Sequence, residues 1–199
     1  MIHGIFKILL LPLLLTSGEA RNISYTLGEE SWLRLSGTSS VNCFECISIS
    51  ESAKGNMEVV TDESEDIITF SNALLNISVK SFDCLNPRLT KDMQNTLGVE
   101  KHPNISIELL EVFNSEATTQ NESGMINAMI SIKLNGYRKV VEIPVKWTAV
   151  EEDKYRFSGS GALRMSDFGI SPPSPMFGLI KVNNEIQISF NLSVSVEKV

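Results

Sequence analysis

Hydrophobic and polar residues alternate with period two along most of the chain after residue 22, the pattern of strands with one face buried. Ile126, Ala128, Ile130, Ile132 and Leu134 alternate with Asn127, Met129, Ser131 and Lys133. Asn135-Gly136 follows, a pair that tolerates the positive φ angles of a tight hairpin turn. The return strand sets Val141, Ile143, Val145 and Trp147 against Glu142, Pro144, Lys146 and Thr148. Glu151-Glu152-Asp153 then turns the chain into a strand carrying Tyr155, Phe157, Gly159, Gly161 and Leu163 on one face. Past Pro172, Pro173 and Pro175, a last strand shows Ile186, Ile188, Phe190, Leu192, Val194 and Val196.

The first half has the same texture with weaker signals. Strands are predicted over 31–35, 41–48, 67–70, 75–82 and 105–113, with loops at Gly55-Asn56 and across 121–124. One short helix is predicted over 88–97, opened by Pro87 and closed by Gly98. Its Leu89, Met93 and Leu97 form an apolar stripe suited to lying over a barrel opening. The fold class is therefore all-β and antiparallel, with about eight strands. Glycines on the apolar face, as at 159 and 161, suit a sharp bend or the close approach of a ligand. They favour a closed barrel over a sandwich.

Residues 1–20 read as a signal peptide: Lys7 flanks an apolar run over 8–15 too short to span a bilayer, and Gly18-Glu19-Ala20 supplies small residues for cleavage. The remainder, 21–199, suits one domain that works in the periplasm or as a secreted protein, with no integral membrane span once the leader is removed. The net charge of −7 favours solubility, and scattered Lys and Arg leave no basic stripe for nucleic acid. Three cysteines, Cys43, Cys46 and Cys84, imply one disulfide and one spare thiol in an oxidising compartment. Cys46–Cys84 is favoured, closing a loop of about 38 residues at roughly 4 kcal/mol of chain entropy. Cys43–Cys84 and three reduced thiols are the alternatives.

The chemistry-bearing residues are sparse. His102 is the only histidine after the leader and has no nucleophile motif beside it, so triad catalysis is not expected. One His and three Cys lack the paired spacing of a zinc site, and Asp62, Glu63, Glu65 and Asp66 lack that of a calcium loop. No metal or other cofactor is expected, and no enzyme; Glu108, Asp167 and His102 are the residues a hydrolase or isomerase would have to use. The Asn-x-Ser sequons at Asn22, Asn76, Asn104, Asn121 and Asn191 carry little information, since several fall in or beside strands.

A family resemblance rests on several short segments in order. Leu35-Ser36-Gly37-Thr38-Ser39 with Val41, Phe44 and Cys46 resembles the opening hairpin of the YceI-like lipid-binding proteins. Val79 to Cys84, then Met93, Leu97 and Lys101-His102-Pro103-Asn104-Ile105, is similar to that family's strand and short helix, with His102 where an aromatic is common. Leu134 to Lys139 resembles its Gly-centred hairpin. Leu163-Arg164-Met165-Ser166-Asp167-Phe168-Gly169-Ile170 resembles its Arg-x-x-Asp-Phe-Gly signature. Phe177-Gly178 and Val182 to Ile186 resemble the start of its final strand. Together the segments span roughly 31–196.

The resemblance implies a lipocalin-like barrel holding a polyisoprenoid or other long amphiphilic lipid in an apolar cavity. The candidate wall is Ile130, Ile132, Val141, Ile143, Val145, Trp147, Tyr155, Phe157, Ile188, Phe190 and Leu192, and Arg164 is the candidate for a charged head group. Arg138, Lys139 and Lys101 are further cations, but an acidic chain suits a neutral or amide head group as well. The other reading is a structural or adhesive β-domain that binds a protein partner. The oligomeric state stays open, with a homodimer among the alternatives.

Overall fold

The computed structural model describes residues 20–49, 53–62, 67–114, 122–174 and 176–198. The leader up to Glu19, Glu63, Glu65, Asp66, the sequon at Asn121 and Pro175 lie outside the described residues. The alternating segments form twelve strands: β1 (Arg21–Leu27), β2 (Trp32–Ser39), β3 (Cys43–Ile49), β4 (Ala53–Asp62), β5 (Ile67–Ser71), β6 (Leu74–Ser78), β7 (Phe82–Asp83), β8 (Asn104–Asn114), β9 (Ser123–Leu134), β10 (Tyr137–Glu151), β11 (Lys154–Arg164) and β12 (Val182–Lys198). A 3-10 turn, Val79–Ser81, joins β6 to β7. The single α-helix among the described residues, α1 (Pro87–Thr96), is capped by the Asn86 side chain, which accepts from the N–H groups of Arg88 and Leu89.

Eight of these strands close a ring, β1-β4-β5-β8-β9-β10-β11-β12, with β12 bonding back to β1; every pairing is antiparallel. This is the expected lipocalin-like barrel. Its wall is built in two halves along the axis. On one edge of β12, Ile23–Leu27 of β1 face Lys198–Val194, and β2 follows end to end, with Trp32 facing Asn191. On the edge of β8, β5 and β6 follow one another in the same way. The lower half is extended by β3 and β7 beyond β2.

Pro144 explains how the base is filled. Lacking an N–H, it cannot donate toward β11, and the β10–β11 pairing runs only from Val145 to Glu151 while the β9–β10 ladder continues through Pro144. Below it a second 3-10 turn, Met165–Phe168, contacts β10, β11 and β12. Met165, Phe168 and Ile170 are buried there with Val79, Phe82, Leu97, Val99, Ile105 and Ile132. The predicted helix is thus one residue offset from expectation, and of its stripe Leu97 is buried while Leu89 and Met93 pack partly buried against the core.

Two loop expectations are corrected. Gly55-Asn56 lies inside β4 and Gly124 inside β9. Each glycine makes room for an aromatic ring across the ladder. A Cβ at Gly55 would collide with the Tyr25 hydroxyl, and one at Gly124 would stand 2.8 Å from Trp147 Nε1. Gly159 follows the same rule: its face is taken by the Phe190 ring, 2.7 Å from a hypothetical Cβ, so the close approach is by the protein itself and not by a ligand.

Of the three cysteines, Cys46 and Cys84 form the disulfide and Cys43 is an exposed thiol. Strand parity decides the choice. Three residues apart on β3, Cys43 and Cys46 point to opposite faces, and only Cys46 (0% exposed) faces the core.

Candidate functional site

The barrel encloses a cavity of about 230 Å³. No charged residue is among its 25 lining residues. Inward positions of β9, β10, β11 and β12 form one side, since period two sends Ile126, Ala128 and Ile130 to the same face as their cross-strand partners Val145, Ile143 and Val141.

Nine of the eleven candidate wall residues line this cavity: Ile130, Ile143, Val145, Trp147, Tyr155, Phe157, Ile188, Phe190 and Leu192. Ile132 and Val141 do not. They share the inward register but sit lower, Ile132 in the core at 3% exposure and Val141 packed partly buried against that core. Arg164 is placed elsewhere too, exposed at the end of β11 opposite Glu185 and outside the lining.

The signature around Arg164 instead builds the base. Phe168 is 1% exposed. Gly169 takes a left-handed φ of 66°, and the Tyr137 ring covers it so closely that a side chain there would collide. Asn135 Nδ2 donates to the Phe168 carbonyl at 3.1 Å, and the Ser166 N–H donates to Asn184 Oδ1 at 2.9 Å. These bonds hold the turn as a floor under the cavity.

The remaining cations are also engaged or remote. Arg138 pairs with Glu108 at 2.9 Å, while Lys101 and Lys139 are exposed. The His102 ring lies against Gly136, and its backbone N–H donates to the Gly98 carbonyl at 2.8 Å. Among the described residues no group of three or more His, Cys, Asp and Glu converges as a metal site. No helix among them is long and apolar enough to cross a membrane.

Polar atoms at the wall are few. Tyr25 donates its hydroxyl to the Leu74 carbonyl at 2.6 Å and accepts from the Leu74 N–H at 3.2 Å. Burial raises its pKa above the ordinary tyrosine value, and the bond to Leu74 partly offsets that. Burial raises Tyr155 too, helped by the negative charge of Asp153. Trp147 Nε1 is buried over Gly124 with no acceptor among the described residues.

Sequence reasoning missed the other side of the lining, including Tyr25 and Leu27 of β1, Met57 of β4, Phe70 of β5, and Leu74, Leu75 and Ile77 of β6. The alternation of Ile23, Tyr25 and Leu27 was a usable signal for β1. No signal told that β6 would stand apart from β7, since the two run together in sequence.

The YceI-like domain pattern matches residues 36–194. The fold is similar to a polyisoprenoid-binding domain of Saccharophagus degradans implicated in plant cell wall breakdown. That match has a TM-score of 0.61 at 9% identity, covering 87% of this chain and 98% of that one. It is also similar to BcnA of Burkholderia cenocepacia, with a TM-score of 0.57 at 16% identity, covering 82% of this chain and 95% of that one. At these identities the likeness concerns the fold. No curated protein matches the sequence.

Proposed function

This chain belongs to the YceI-like family, and from that premise we propose that it is a binding protein, not an enzyme, which holds a polyisoprenoid or other long single-tailed lipid in its barrel. The observation that carries the reading is the cavity, hollow and lined without a single charged side chain. An apolar cavity of about 150 Å³ is enough to bind benzene and stay dry, so this larger one suits part of a hydrocarbon tail. Ten buried methylenes would contribute about 8 kcal/mol, whereas an exposed ion pair adds about 0–1 kcal/mol. The tail therefore sets affinity and the head group tunes it. With Arg164 outside the lining, the reading favours a head group that needs no ion pair.

The disulfide and the leader-like first twenty residues support work outside the cytoplasm, in the periplasm or after secretion. The test is native mass spectrometry of protein purified without denaturant, with lipid extraction of the same sample. A co-purifying lipid that Ala128→Trp displaces is the expected result. A protein that carries no lipid and takes up none after incubation with long-chain alcohols and fatty acids would end the proposal.

A further inference from the structure

β6 is bonded to β8 alone among the described residues, and its other edge is hydrogen-bonded to no strand. The edge it would meet is that of β4. There Ala53–Met57 bond only β1, because the pairing with β5 begins at Glu58. The two unpaired edges bound a seam in the wall. Leu74 and Leu75 both line the cavity although neighbours on a strand point to opposite faces. That is what a cavity reaching the edge of β6 at its first residue produces. Leu74 is also 43% exposed while lining the cavity, which sets a residue in contact with both solvent and lining at this edge.

Among the described residues one side-chain hydrogen-bonded connection crosses the seam. The Tyr25 ring passes over Gly55 of β4, which has no Cβ to obstruct it, and its hydroxyl bonds both the N–H and the C=O of Leu74. A phenol thus replaces the missing ladder bonds between β4 and β6. A ladder along a full strand opens only when several bonds break together. This join rests on one side chain that can rotate.

We propose that the β4–β6 seam is the portal through which the lipid tail passes, and that Tyr25 is the latch across it. The proposal rests on the carrier reading above and adds the route. Pairing alternates along β6, so the N–H and C=O of Asn76 point to the seam as those of Leu74 do. A tail that has threaded inward leaves its head beside these groups, which suits an uncharged hydroxyl or amide.

The test is stopped-flow uptake and release of cis-parinaric acid, an 18-carbon fatty acid that fluoresces in apolar surroundings. Tyr25→Phe keeps the ring and removes the latch. Association and dissociation should both accelerate by at least about fivefold, the factor for one net hydrogen bond, since Tyr25→Phe removes two. Leu74→Ala keeps the latch and widens the seam, should accelerate both rates as well, and decides the matter if Tyr25→Phe does not fold. Faster dissociation alone would mark Tyr25 as a wall contact and overturn the portal. Unchanged rates in folded variants that bind like wild type would overturn it too. Wild-type protein that takes up no probe would remove the carrier reading, and the portal with it.

Discussion

Tyr25 has a consequence for pH that can be isolated by subtraction. Its pKa is raised in the folded protein, so the neutral form is favoured there, and the unfolded chain loses this proton first. The stability it contributes is therefore intact below the unfolded value of 10.0 and declines as pH rises through that value toward the higher folded one. Melting temperatures of wild type and Tyr25→Phe should differ most near neutral pH and converge above about pH 10. A gap that persists there would mean the hydroxyl is not the stabilising group. The cysteines give a second prediction. Reducing Cys46–Cys84 should cost about 2–5 kcal/mol, read as a lower Tm with reductant, while Cys43→Ser on the outer face should stay within about 0.5 kcal/mol of wild type.

Among the elements, the glycines inside strands teach most. At Gly159 an added Cβ would stand 2.7 Å from both the Phe190 ring and the Pro144 carbonyl. The ring can tilt but the carbonyl cannot, so Gly159→Ala should destabilise by about 1–3 kcal/mol, measurable by urea unfolding. Gly161 is the control, since its nearest neighbour would be Ile143 at an ordinary 3.6 Å. These positions also show what the sequence conveyed. Strict alternation made β9, β10, β11 and β12 legible, together with nine wall residues, because facing is a local property. Gly55 and Gly124 read as loops because the reason for glycine, an aromatic ring on the neighbouring strand, lies elsewhere in the chain. Ile132 and Val141 obey the same alternation as true wall residues. They fall in or against the core rather than along the cavity, and where along a strand the cavity ends no local pattern reports.

At the scale of the molecule, a hollow barrel should respond to whatever fills it. A lipid at about 100 times its Kd adds about 2.7 kcal/mol to the folded state, which in a protein this size corresponds to roughly 5–10 °C in Tm. A thermal-shift series with alcohols of increasing chain length should climb until the cavity is full and then level off. A flat series would mean that the interior admits none of them.

The ring closes where β1 meets β12, pairing Ile23 with Lys198. These are nearly the most distant residues the barrel could join, and contacts of such long range form slowly. During synthesis the inward face of the other strands waits as a bare greasy sheet, unable to cradle anything, until the final segment emerges and docks. On the carrier reading proposed above, capture of a guest is thus a late event in the life of each molecule. Cutting the chain before Val194 would remove the β1–β12 pairing and leave an open ribbon prone to aggregate, where the whole protein is a closed ring.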